Sequence, residues 1–373
     1  MTAGLAGQAL AARLPQFPWD RLAPAAARAA AHPDGIADLS VGSPVDPVPE
    51  VITSALTAAA DSPGYPLTAG TAALREAAAE WLSRCHGVTV GAGDVLPVIG
   101  TKELIAWLPA LLGCGPGDVV AYPELAYPTY DIGARLAGAQ AVATDHPDRP
   151  GSGSVRLAWL NSPSNPTGRV TSPGRMRELA RWARASGTVL ASDECYLDLG
   201  FETTPVSVLH PQVSEGSHAG LLAVFSLSKR SNLAGYRAGF VTGDPALVAA
   251  LLEVRKHAGM IVPAPVQAAM TAALTDDAHA ARQHARYAAR RTVLRPALEG
   301  AGWAVTHSQA GLYLWASRPG YDCWESVRML SEHGILVSPG EFYGPAGAAH
   351  IRVALTASDE RIEAAAARLD ALR

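Results

Sequence analysis

Lys229 stands in the run Ser226-Leu227-Ser228-Lys229-Arg230-Ser231-Asn232-Leu233-Ala234-Gly235-Tyr236-Arg237, directly after the apolar segment Leu221 to Phe225. A lysine amine captures a carbonyl as a Schiff base, and hydroxyls with a nearby guanidinium hold a phosphate. The run therefore reads as an amine beside an anion site. The same residues also suit a polar surface loop, and a short motif alone does not separate the two. Three further groups invite the same question. Asn165-Pro166-Thr167-Gly168 ends the stretch Asn161 to Gly168, and Asn-Pro before a glycine also makes an ordinary turn. Asp193-Glu194-Cys195-Tyr196 ends an apolar run, where a carboxylate also serves as a helix cap. Arg352 sits inside the apolar run Ile351 to Leu355, where a lone arginine is often an edge residue facing water. In the company of the other three, a carboxylate clamp fits Arg352 better, because a guanidinium grips a carboxylate with two parallel N–H bonds.

The elements that must position these residues alternate. Strand candidates are Val95 to Ile99, Val119 to Tyr122, Leu157 to Leu160, Thr188 to Ser192, Leu221 to Phe225 and Ala238 to Thr242. Helix candidates such as Glu103 to Leu112 and Pro173 to Ser186 lie between them. Continuous apolar strands alternating with helices predict a mostly parallel sheet covered on both faces. The last two candidates are too close for a helical crossover, so that pair is expected to be antiparallel. In such sheets ligands bind beyond the carboxyl ends of the strands. Gly100-Thr101-Lys102, Tyr122 to Tyr130, Asn161 to Gly168, Asp193 to Tyr196 and Ser226 to Lys229 each follow one strand candidate in turn. That common placement argues more strongly than any one motif.

Together these motifs resemble the class I/II, fold-type I aminotransferases that depend on pyridoxal phosphate, over nearly the whole chain from Gly42 to Arg352. The resemblance implies an α/β fold: a large domain with a mostly parallel seven-stranded sheet between helices, plus a smaller α+β domain. It implies pyridoxal 5'-phosphate as cofactor. Lys229 would bind it as a Schiff base and then shuttle a proton between the substrate Cα and the cofactor C4′. Asp193 would pair with the pyridinium nitrogen, and Asn165 and Tyr196 with the 3-oxygen. Tyr127 would stack on the ring. Gly100, Thr101 and Lys102 at a helix start would receive the phosphate, with Ser226, Ser228 and Arg237 completing the cup. Arg352 would grip the substrate α-carboxylate, and Gly42 would allow the substrate close. Tyr65, in Pro63-Gly64-Tyr65-Pro66, matches the tyrosine that the family lends to the neighbouring subunit's phosphate, which implies a homodimer with shared sites. A free lysine amine has a pKa of about 10.4, and desolvation beside cations brings a base into the working range.

The remainder of the chain bounds these expectations. Of 373 residues, 49% are hydrophobic, ample for a core of two or three domains. The predicted division is an N-terminal segment over 1–44 packing on the small unit, a large cofactor-binding domain over 45–265, and a small C-terminal domain over 266–373. In the last, Gly311 to Trp315, Ile335 to Val337 and Ile351 to Leu355 read as strands, with a closing helix from Ser358. A net charge of −4 with no basic block argues against a nucleic-acid partner. The arginines Arg282, Arg286, Arg290 and Arg291, on a predicted helix from Ala278 to Leu298, are read as a solvated face. Cys85, Cys114, Cys195 and Cys323 are scattered and form no Cys-x-x-Cys pair, as expected of free thiols in a reducing compartment. Met1 to Leu14 lacks the basic start of a signal peptide, and no apolar run is long enough to span a bilayer. A cytoplasmic protein with small-molecule amino-acid and keto-acid substrates, no membrane partner and no metal is expected.

The stretches Phe17 to Asp20, Asp38 to Asp46, Val98 to Trp107 and Ser226 to Arg237 look close to actinobacterial N-succinyldiaminopimelate aminotransferases. This resemblance implies amino transfer from L-glutamate to N-succinyl-2-amino-6-oxopimelate, on the lysine and cell-wall route. A long dicarboxylate needs a second cation besides Arg352; Lys102, Arg230 and Arg21 are the candidates. Other aminotransferase specificities, aspartate or aromatic, remain open. A same-fold β-lyase would use the same Lys229 and Asp193 but would need no amino acceptor. A ligand-sensing regulator is disfavoured, since 373 residues leave no room for a DNA-binding module. A dehydrogenase is disfavoured because no Gly-x-Gly-x-x-Gly follows the first strand.

Overall fold

A computed structural model describes residues 10–149 and 154–372. The first nine residues of the predicted N-terminal segment lie outside them. In chain order the strands are β1 (Ala37–Asp38), β2 (Val95–Ile99), β3 (Val119–Tyr122), β4 (Gln140–Ala143), β5 (Val155–Asn161), β6 (Val189–Asp193), β7 (Leu221–Ser226), β8 (Ala238–Gly243), β9 (Ala304–Thr306), β10 (Tyr313–Ser317), β11 (Ile335–Leu336), β12 (Ser338–Pro339) and β13 (His350–Ala354).

Strands β2 to β8 form one seven-stranded sheet in the order β2-β8-β7-β6-β5-β3-β4. The neighbours from β4 through β7 run parallel, whereas β8 is antiparallel to both β7 and β2. The tight β7–β8 connection therefore makes the antiparallel pair that its length requires. Successive side chains bury on opposite faces. On β5, Ala158 and Leu160 join one apolar cluster while Leu157 and Trp159 join the other. Residues buried on both sides explain why these strands read as unbroken apolar runs. The edge strand β4 escaped sequence reading: Gln140-Ala141-Val142-Ala143 is short and partly exposed, and carries no apolar run.

The two clusters flanking the seven-stranded sheet make the first core, and another sheet, β12-β13-β10-β9, carries the second core together with the helices Ala23–Ala30, Asp277–Gly300, Cys323–Glu332 and Asp359–Asp370. The N-terminal chain belongs to this packing. Leu22, Ala25 and Ala29 sit in that core, and β1 pairs in parallel with β11. The helix predicted from Ala278 to Leu298 extends one residue further at its start and two at its end.

Its arginine face needs correction. Arg282 and Arg286 are exposed, but Arg290 is buried. Arg290 holds Asp46 through Nη1 and Nη2 at 2.9 and 2.7 Å and Asp359 through Nε at 2.7 Å. Arg291 binds Glu202 and Ser308. Composition cannot separate a solvated arginine from one whose carboxylate partners lie between 69 and 244 positions away. Among the described residues no helix is long and apolar enough to cross a membrane, and no cluster of three or more His, Cys, Asp or Glu side chains could hold a metal.

Candidate active site

The register of the large sheet gathers the chemistry at one edge. Asn161 pairs with Asp193 across β5 and β6, so both strands end at the same level. Strand β7 ends there at Ser226, opposite Gly239 near the start of β8. Strand β2 is antiparallel to β8 and so points the same way as β7, delivering Gly100 to the same edge. The result is a cleft of about 440 Å³ between the large sheet and the second core.

Of the predicted site residues, Gly42, Thr101, Lys102, Tyr127, Asn165, Asp193, Tyr196, Ser226, Ser228, Lys229, Arg237 and Arg352 all line this cleft. Gly100 borders it as the residue preceding the helix Thr101–Leu111. Tyr65 does not; it is 99% exposed on this chain.

Three features describe a phosphate cup. Gly100 has φ +74°, and a Cβ there would collide with the Arg237 guanidinium, so only glycine combines that backbone with that approach. The helix it precedes begins at Thr101 without a side-chain cap, leaving its first N–H groups facing the cleft. Ser226 Oγ accepts the Ser228 N–H at 3.1 Å and keeps its own proton to donate. Lys102 and Arg237 add positive charge. Burial and the neighbouring Arg237 lower the Lys102 pKa.

Asp193 is a buried carboxylate that accepts Tyr130 Oη–H at 2.7 Å and the Cys195 N–H at 3.2 Å. No ion-pair partner meets it among the described residues. Burial pushes its pKa up, against these hydrogen bonds. A protonated ring nitrogen supplies the cation that such a carboxylate calls for.

Lys229 donates through Nζ to the Gly42 carbonyl. Burial lowers its pKa, with Arg352 and Arg237 acting the same way and Tyr313 and Cys195 opposing. A lysine so placed is a nucleophile and a base rather than a fixed cation.

Arg352 lies on β13, paired on one side with β10 and on the other with β12, and is 3% exposed. The edge-residue alternative is thereby excluded. Its Nη1 donates to Asn165 Oδ1 at 2.9 Å and its Nη2 to the Ser40 carbonyl at 2.7 Å. The guanidinium carbon lies 3.9 Å from the Tyr313 ring centroid and 4.8 Å from that of Tyr343. Aimed and gripped in this way, Arg352 is organised for a planar anion.

Two candidates for a second substrate cation fail. Arg230 is buried against Asp198, with Nε to Oδ2 at 2.5 Å, and lies over the Trp81 ring away from the cleft. Arg21 pairs with Glu341 at 3.1 Å and covers the Trp324 ring, also outside the cleft. Both sit close in sequence to cleft residues, but the backbone turns their side chains elsewhere. Lys102 remains.

Tyr130, Cys195, Tyr313, Phe17 and Trp19 were not assigned roles from sequence. Tyr130 lies in the first turn of the helix Thr129–Ala137, with its ring edge to face against Tyr127 at 6.3 Å. Phe17 and Trp19 line the cleft from the N-terminal chain, where Trp19 packs on Phe342 and Tyr343. No local pattern betrays such a long-range contact.

Fold and cleft define an enzyme of the fold-type I, pyridoxal-phosphate-dependent class. The chain belongs to the aminotransferase class I and II family, whose description matches residues 34–369. It is similar to the 4-dedimethylamino-4-oxo-anhydrotetracycline transaminase OxyQ of Streptomyces rimosus, 63% identical over 95% of this chain and 99% of that protein. It is also similar to a probable aminotransferase of Mycobacterium tuberculosis, 62% identical over 96% of this chain and 86% of that protein. Among solved structures, a probable N-succinyldiaminopimelate aminotransferase from Thermus thermophilus superposes with TM-score 0.86 at 30% identity, over 96% of this chain and 100% of that one.

Pyridoxal phosphate, when bound, supplies a carbonyl that takes up the amino group and a ring that accepts the electrons released at the substrate Cα. The backbone of the turn Gly100 to Lys102, with Ser226, Ser228 and Arg237, would hold its phosphate, and Asp193 would pair with the ring nitrogen. Lys229, buried and with its pKa lowered, would be the group placed to hold and move a proton at the substrate Cα.

Proposed function

We propose that this aminotransferase moves an amino group from L-glutamate to N-succinyl-2-amino-6-oxopimelate. What supports the reading is a pair of cations, Arg352 and Lys102, facing one cleft. Arg352 suits the α-carboxylate common to donor and acceptor. Lys102 suits the distal carboxylate of a long acceptor, with its ammonium 5.7 Å from the Phe17 ring centroid. A lysine on a flexible stem can meet both glutamate and a longer succinylated chain, which one active site must accept in turn. The similarity to the Thermus thermophilus structure agrees with this acceptor.

A second reading is favoured by the aromatic wall of Phe17 and Trp19 and by 63% identity to OxyQ. In it the acceptor is a polycyclic ketone. Glutamate-dependent formation of 2-oxoglutarate separates the two. Turnover with the succinylated keto acid, lowered selectively by Lys102→Met, supports the first. Turnover with an anhydrotetracycline-type ketone and none with the succinylated acid replaces it with the second. Ammonia release without any acceptor would instead indicate a β-lyase.

The proposal extends to a homodimer in which Tyr65 reaches the phosphate cup of a second copy. Its complete exposure here is what such a reach requires.

A further inference from the structure

Tyr313 was invisible as a functional residue in the sequence, where it reads as one apolar position of a strand. In the structure its hydroxyl lies at the centre of the cleft. It is 3.2 Å from the Tyr196 hydroxyl. It also rests against Gly42, where a Cβ would collide with the Tyr313 oxygen. The Gly42 carbonyl is the group that receives the Lys229 ammonium. The position is rigidly set. Tyr313 sits on β10, between β13 and β9, and Arg352 covers its ring. The Tyr196 ring meets it edge to face at 5.9 Å.

We propose that Tyr313 is a positioning residue for the reaction: its hydroxyl donates to the Tyr196 oxygen and so commits the Tyr196 proton to the cofactor side of the cleft. Of two facing phenols, one donates to the other, and the acceptor keeps its own proton for a third partner. A hydrogen bond received by a phenol oxygen also strengthens the bond that the same phenol gives.

The surroundings decide which phenol donates. Cys195 and Tyr196 face Tyr313 from the turn after β6, Lys229 from the segment after β7, and Arg352 from β13. Tyr127, Tyr287 and Tyr343 lie further out. Burial opposes ionisation of Tyr313, but Arg352, stacked on its ring at 3.9 Å, and Lys229 draw its pKa down. Burial drives Tyr196 well above the usual phenol range. The guanidinium that covers the Tyr313 ring favours negative charge on that phenol and so makes it the better donor, which points the proton of Tyr313 to Tyr196.

A phenol that donates toward the oxygen beside the Lys229 nitrogen stabilises negative charge there. When that donation weakens, the nitrogen keeps its proton to higher pH. Tyr313→Phe keeps the ring and the Arg352 stack, and removes one oxygen. The test is a pH titration of visible absorbance on the pyridoxal-phosphate-loaded enzyme, for wild type, Tyr313→Phe, Tyr196→Phe and the double variant. Tyr313→Phe is expected to raise the midpoint by roughly half to one pH unit. Tyr196→Phe raises it as well, and the double variant moves it no further than Tyr196→Phe alone. The acid limb of kcat/KM follows the midpoint. A residue that only packs would leave the midpoint in place. An unshifted Tyr313→Phe, or a double variant in which the two shifts add in full, overturns the proposal. Replacing Tyr313 by 3-fluorotyrosine keeps the hydroxyl and makes it a stronger donor. The midpoint then moves down, and an unchanged or raised midpoint overturns the proposal even if Tyr313→Phe fails to fold.

Discussion

Asp193 and Arg352 are both buried charges, and each is tuned by what touches it. Asp193 has only a phenol, an amide and a thiol for company, so burial raises its pKa. It becomes fully effective against a ring nitrogen that carries a proton. Asp193→Asn keeps the shape and removes the charge. The expected result is a fall in kcat of about 10³-fold with cofactor still bound, measured by coupled turnover and absorbance. Arg352 is held by Asn165 and Ser40 and covered by two tyrosine rings, so it cannot swing away from the cleft. Arg352→Met is expected to raise the KM for glutamate about 100-fold, as befits loss of a charge-assisted pair. Phosphate-side binding should survive. Equal loss of cofactor affinity would show that Arg352 holds the cofactor rather than the substrate.

At the scale of the elements, six strands of the large sheet were legible because they are apolar runs that close on polar turns, whereas the partly exposed edge strand β4 was not. The helix Pro173–Ser186 has the predicted bounds, set by Ser172 accepting the Arg175 N–H and by Gly187 in the left-handed region. What stayed hidden were contacts between elements: Tyr130 with Asp193, Tyr313 with Tyr196, Arg290 with Asp46. Pattern reports which face a residue occupies, not which residue of a distant strand meets it. Glu194 shows the consequence. Beside Asp193, its carboxyl is buried, accepts the Val208 N–H at 2.7 Å, and is pushed by burial up to about 7 from 4.5. The folded protein therefore binds a proton between pH 4.5 and about 7 that the unfolded chain has released, and stability falls as pH rises through that window. The group's share is about 3 kcal/mol at most. Glu194→Gln should flatten the slope of urea-unfolding free energy against pH in that interval. An unchanged slope would assign the carboxyl an ordinary titration.

For the whole molecule, two cores meet at the cleft, and the N-terminal chain and Asp46 are bound into the second. Arg290 joins Asp46, just after the Gly42 turn, to Asp359 at the head of the last helix. The site is thus assembled from both cores, not lent by one. A homodimer would add Tyr65 from a second copy. Light scattering is expected to give twice the chain mass, and Tyr65→Phe to weaken pyridoxal phosphate about tenfold by loss of one hydrogen bond to a charged group. A monomer with undiminished cofactor affinity would contradict the shared site.

Lys229 is proposed as the covalent anchor of the cofactor. The chain has three lysines, Lys102, Lys229 and Lys256, of which Lys102 and Lys229 line the cleft. Borohydride reduction of the loaded protein, followed by proteolysis and mass spectrometry, reads the attachment directly. A pyridoxyl group is expected on the peptide containing Lys229 and on neither of the others. A label on Lys102 or Lys256, or a reduced protein with no label at all, would contradict it.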